Sequence, residues 1–239
     1  ALKSGIADFA AAPLFGVFFG GICASVGLLF TAALMVYGMT WLVIPAAIGF
    51  PLVGPFVAIG LYEVSRRRAA GTPLKWKGIL LVIFRHREQQ FVYMGIVILC
   101  IFWVWIFLAR ILFAVFLGSK SFSSLMGFAE IVFMTSPGLG FLAFGTVIGA
   151  ILAFVLFSAA VIAMPMLIDR DIDVVSAVIT SFNAVFKSPV PMIGWGAVIA
   201  VLVVLAMLPA FAGLVVVLPV LGHATWHLYT KVIVGAGDC

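Results

Sequence analysis

The sequence predicts an all-α polytopic membrane protein. Six transmembrane helices are expected, as three parallel two-helix repeats with amphipathic cytoplasmic surface helices. Three observations carry this expectation. First, the 239 residues are 66% hydrophobic and only 9% charged, whereas a soluble domain is roughly half apolar and about a quarter charged. Second, mean hydropathy is +1.36, which leaves too little polar surface to face water and makes lipid the fitting solvent. Third, eleven of the thirteen Lys and Arg residues fall on one side of the apolar runs. Intrinsic disorder is excluded, because it needs low hydrophobicity and high charge.

The spans follow in order. A bilayer takes about 20 apolar residues, and such runs occupy about 13–37, 41–62, 91–117, 138–167, 190–208 and 209–230. Gly38-Met39-Thr40 divides the first pair and Pro209 the last, so both pairs read as tight hairpins. The even-numbered spans contain prolines: Pro45, Pro51 and Pro55, then Pro165, then Pro219. Each predicts a kink, since proline removes a helical hydrogen bond; neighbouring helices must satisfy the freed carbonyl. Lys3, the group from Arg66 to Arg87, and Arg170, Lys187 and Lys231 lie on one side, against Lys120 on the other. Both termini are therefore expected in the cytoplasm. The net charge of +5 orients the chain in the membrane and does not point to nucleic acid.

Repetition appears in the cytoplasmic connections. Thr72-Pro73 reads as an N-cap with proline at the first helical position, and Asp173 as a second N-cap. Each is expected to open a short helix lying on the inner membrane face. The N-terminal SGIADFAAAPLFG is a shorter copy, giving approximate repeats 1–71, 72–170 and 171–239 within a single transmembrane domain. The N-terminus is not expected to be a secretory signal, because it has no compact apolar segment ending in a small-residue cleavage site.

The segments PLVGPFVAIGLYEVSRR (51–67), Thr135-Ser136-Pro137-Gly138, LIDRDIDVVSAVITSFNAV (167–185) and LPVLGHATWHLY (218–229) resemble the predicted bacterial integral-membrane proteins grouped as a domain of unknown function (number 2189). The resemblance runs over nearly the whole chain, the last segment being the most distinctive. It implies six helices and an inner-membrane location, with no activity or catalytic residue to carry over. Some members bear the loose label of cytochrome c oxidase subunit. Catalytic electron transfer is not expected here: three histidines (His86, His223, His227) and three scattered cysteines do not supply haem and copper ligands. Cys23 and Cys100, inside apolar runs, are expected to pack as small hydrophobes.

Few residues carry chemistry. Glu63, Asp169 and His223 or His227 end the three kinked spans, so a pseudo-threefold bundle brings them to one membrane face as a polar cluster. Two readings of it compete: a vestibule for a cation or proton, and a network that locks the bundle. His223 and His227, four apart on a helix, also have a spacing that chelates metal, against the simpler reading of hydrogen bonds and interface anchoring beside Trp226 and Tyr229. Arg110 lies within a span and Glu130 is the one acid expected on the outer side, so an intramembrane ion pair is expected. Arg66, Arg67, Arg68, Lys75, Lys77, Arg85 and Arg87 are expected to contact anionic headgroups. Gly16-x-x-x-Gly20 and Gly145-x-x-x-Gly149 permit close helix approach within the chain.

No P-loop, nucleophile elbow or Rossmann glycine pattern occurs, and no cofactor and no enzymatic activity are expected. The first functional expectation is a non-catalytic accessory or assembly subunit packing against a larger membrane complex. The alternative is a small-solute or ion channel or transporter.

Overall fold

The computed structural model describes residues 1–37, 57–82, 88–118, 125–209 and 211–234. Among these residues the chain is all-helical, without strands. In order come α1 (Leu2–Ala11), α2 (Pro13–Tyr37), α3 (57–69), α4 (Trp76–Leu80), α5 (Glu88–Leu117) and α6 (Leu125–Met134). Then follow α7 (Ser136–Ala160), α8 (Ala163–Asp169), α9 (Val174–Lys187), α10 (Pro189–Met207) and α11 (Leu214–Tyr229), closed by a π-helical turn, Thr230–Val234. The chain forms two compact units, Ala1–Ile96 with Ser158–Cys239, and Val97–Phe157.

Three helical stretches among the described residues are long and apolar enough to cross a bilayer: Gln89–Leu117, Ser136–Asp169 and Pro189–Met207. The pair α1–α2, bent by 105°, makes a fourth if counted as one span. Six spans were expected; among the described residues three or four candidates meet the length and apolarity that a span needs. Most of the second expected span, with Pro45, Pro51 and Pro55, lies outside the described residues, and α11 is only 16 residues long.

In the first unit α11 is the central helix, with α1, α2, α8 and α10 packed on it. Proline explains the tightest approach. Pro219 cannot donate to Val215, four residues before it, and Gly20 of α2 lies against that freed carbonyl: a Cβ at Gly20 would sit 2.6 Å from the Val215 oxygen. Gly16 lies closest to the Phe9 ring of α1, with the Pro219 ring next at 3.2 Å from a Cβ placed there. The Gly16–Gly20 pair thus serves packing within the chain, as expected. Gly145 meets no neighbour, and Gly149 faces the Trp105 ring. A second core gathers Phe15, Phe19 and Cys23 of α2, Val57, Leu61 and Val64 of α3, and Ile79 of α4, with Trp76 closing it over Phe15 at 4.2 Å between ring centroids. Cys23 is the small buried hydrophobe expected; Cys100 is not, being exposed on α5.

The caps separate right expectations from wrong ones. Asp173 accepts the Ser176 amide at 2.9 Å and opens α9. The hydroxyl and amide of Ser176 hold its carboxyl below the usual carboxylate value. Thr135 does the same for α7, accepting the Gly138 amide at 3.1 Å. Thr72 is not an N-cap. Gly71, at φ +63, turns the chain out of α3; the Thr72 amide then reaches the Arg67 carbonyl (2.9 Å) and the Gly71 amide the Arg68 carbonyl (3.1 Å). That is a Schellman ending, and the Thr72 hydroxyl reinforces it on the Arg67 carbonyl. The following helix starts only at Trp76. Pro165 acts upstream of itself: α7 breaks at Val161–Ile162, and the Ile162 amide is satisfied by the buried Ser181 hydroxyl of α9 at 3.1 Å.

Candidate functional site

The polar groups of the first unit converge where α1, α3 and α11 meet. α1 buries Gly5 and Asp8, three residues apart on one face; a Cβ at Gly5 would fall within 2.6 Å of the Val220 carbonyl oxygen of α11. That approach carries Asp8 inward as a hub. Its Oδ2 accepts from Ser65 Oγ at 2.8 Å and from His227 Nε2 at 2.9 Å; its Oδ1 accepts from Arg68 Nε at 3.0 Å. Ser65 Oγ also lies 2.7 Å from His223 Nδ1. Ser65 and Arg68 are one turn apart on α3, and His223 and His227 one turn apart on α11, so each helix presents two groups on one face.

The donors assign the tautomer. An ionised carboxylate only accepts, so the single Ser65 proton goes to Asp8, and His223 Nδ1–H donates to the Ser65 oxygen. His223 Nε2 is then an acceptor, and it is buried without a partner among the described residues.

A second knot lies on the other side of α3. Glu63, fully buried, accepts from Arg66 Nε at 2.7 Å and Nη2 at 3.0 Å, and from Arg67 Nε at 2.7 Å. Arg67 reaches on to the carbonyls of Pro73 and Gly78, tying α4 to α3. The Glu63 hydrogen bond holds the Arg66 guanidinium in its charged form against the cost of burial, and the charge of Asp169 adds to it. Asp169, at the end of α8, accepts the Tyr229 hydroxyl of α11 at 2.7 Å. Glu63 is the buried member of its group, so removing it strands the two guanidiniums it holds, at a cost of about 3–5 kcal/mol.

The residues that the sequence marked fall into three bonded groups. Glu63 is bonded to Arg66 and Arg67, Asp169 to Tyr229, and Asp8 to His227 directly and to His223 through Ser65. Asp8, Ser65 and Tyr229 were not singled out as cluster members. Asp8 had a readable signal: it is the lone acid of the N-terminal helix, on the same face as Gly5. His223 and His227 each have a ring nitrogen engaged in the Asp8 network, and no group of three or more metal-ligating side chains occurs among the described residues. Of the expected headgroup contacts, Arg66, Arg67 and Arg68 are tied to Glu63 and Asp8, Lys75 and Lys77 are exposed, and Arg85 and Arg87 lie outside the described residues.

In the second unit the expected pair is not formed. Arg110 and Glu130 are both exposed, and no ion pair joins them among the described residues. Arg110 lies seven residues from the end of α5, about 10 Å of helix, so its long side chain can snorkel without a carboxylate. A half-open groove of ≈ 270 Å³ between α5 and α7 is apolar, lined by residues including Phe102, Trp105, Gly149 and Leu152.

The family described as predicted integral membrane protein (DUF2189) matches residues 42–169, more than half of the 239 residues. The chain belongs to this family. No curated protein and no solved structure matches it. The DUF2189 match corrects the expected extent of the resemblance: it includes Glu63, the three arginines and Asp169, but ends within the 167–185 segment, before the 218–229 segment, and does not reach Asp8. Most of the hub is therefore built from residues flanking the matched stretch, which bond to Ser65 and Arg68 of α3 within it.

Proposed function

We propose that this integral membrane protein is a non-catalytic accessory or assembly subunit of the bacterial inner membrane, packing against a larger membrane complex. In this reading it has six spans, three parallel repeats, and both termini in the cytoplasm. One observation carries the proposal: the ionisable groups at the helix ends bond to protein partners, as in a lock, with the buried Asp8 bonded to α3 and α11 together. The lipid-facing helices add exposed aromatic and aliphatic surface, including Trp103 and Phe107 of α5 and Phe144 of α7, which suits packing against other spans. Purification from native membranes in mild detergent, followed by mass spectrometry of the intact assembly, tests it. Stoichiometric membrane partners are expected; a protein that elutes alone, at full recovery, contradicts the proposal.

The channel or transporter reading rests on the buried, unpartnered Nε2 of His223, an acceptor available to a proton or a hydrogen-bonding solute. Flux of a solute or ion in vesicles containing the pure protein, abolished by His223→Phe, is the outcome that favours it over the subunit reading.

A further inference from the structure

Most surface helices have two faces, and α9 has three. With about 100° between successive residues, Val174, Ala177, Ser181, Ala184 and Val185 fall in one sector, and all five are buried. Next comes an apolar sector of Val175, Ile179, Phe182 and Phe186. Val175, Ile179 and Phe186 are 62%, 55% and 63% exposed, and the Phe182 and Phe186 rings stack 6.2 Å apart. The third sector is polar: Ser176, Thr180, Asn183 and Lys187.

Each sector suits a different medium. The small side chains of the first let α9 lie against α8 and supply the Ser181 hydroxyl to the α7–α8 break. The second places aromatic and branched aliphatic groups where water is a poor solvent. The third is at home in water. The depth of the helix follows from what comes after it. Ser188 alone separates α9 from α10, which is long and apolar enough to cross a bilayer, and α10 exposes Val190 and Ile193 within its first five residues. α9 therefore ends where a membrane span begins, and its exposed apolar stripe runs into the lipid-facing surface of that span.

We propose that α9 is an interfacial helix at the junction of protein, lipid and water, with the Val175–Ile179–Phe182–Phe186 stripe sunk among the acyl chains of the adjacent leaflet. Its partner is the lipid surface. A protein partner seated on the stripe fits less well, because the polar row beside it runs the whole length of the helix and has to stay wet. This inference stands apart from the accessory-subunit reading, since it concerns the chain alone in a bilayer.

The test is spin-label accessibility in the full chain, with Cys23, Cys100 and Cys239 replaced by serine, reconstituted in phosphatidylcholine–phosphatidylglycerol vesicles. Nitroxides on Val175→Cys and Ile179→Cys are expected to relax with oxygen and resist a water-soluble nickel chelate; a nitroxide on Asn183→Cys is expected to do the reverse. All three positions are on exposed faces, so labelling leaves the packed core intact. Equal access of the chelate to 179 and 183 overturns the proposal, placing the stripe in water. Protection of 175 and 179 from both reagents also overturns it, placing a second copy of the chain over the stripe.

Discussion

Around α3 lie two knots of charge: Asp8 of α1 bonds to Ser65, Arg68 and His227 and so joins three helices, while Glu63 bonds within α3 to Arg66 and to Arg67, which reaches on to Gly78 of α4. In the Val97–Phe157 unit the two charged residues weighed as partners both face outward, and ring contacts replace them: Phe113 on Phe141 at 6.3 Å, edge to face, and Phe116 on Phe144 at 5.4 Å, stacked. The difference shows two ways of fastening helices in one chain. Where a short helix outside the spans is held to its neighbours, charge-assisted hydrogen bonds fix it in one geometry. Where long apolar helices run side by side in lipid, close packing does the work, since lipid supplies no hydrophobic drive between them.

The largest effect is expected from Glu63. Glu63→Ala strands two guanidiniums against a buried site and should destabilise the detergent-solubilised protein by about 3–5 kcal/mol, read as a fall in unfolding temperature. Loss of no more than about 0.5 kcal/mol shows that the arginines find other acceptors. Next comes glycine packing. Gly20→Leu has to push α2 off the Val215 carbonyl and should cost at least about 1–3 kcal/mol, whereas Gly145→Leu, facing open space, should be nearly neutral. Equal costs at the two positions erase the distinction between the units at this level.

The smallest effect tests the absence of a pair. Arg110→Ala and Glu130→Gln should be additive within about 0.5 kcal/mol; a larger coupling restores the ion pair that the sequence suggested.

Much of this was legible in the residues. Apolar run lengths located α2, α5, α7 and α10, because the bilayer fixes how long such runs must be. Asp173 announced α9, since an acid followed by an apolar-periodic stretch is a local signal. Thr72 misled for a local reason as well: Thr-Pro suits a helix start, but Gly71 just before it makes a helix end, and the positive φ decided between them. The cluster was half legible. Glu63, Asp169, His223 and His227 stood out as rare ionisable groups beside spans, and each is hydrogen-bonded, in three separate groups rather than one. Asp8, 219 positions from His227, had no sequence link to its partners, because only the packing of α1 on α11 brings them together. The Arg110–Glu130 expectation failed for the opposite reason: scarcity made them look like a pair, while a long side chain near a helix end has water within reach.

The central claim is that Asp8 locks α1 to α3 and α11. A double-mutant cycle of Asp8→Asn with Arg68→Gln, followed by thermal unfolding in detergent, addresses it most directly. The lock predicts that each single change destabilises and that the double change costs less than their sum by about 0.5–3 kcal/mol. Strictly additive losses, or singles that leave stability unchanged, contradict it.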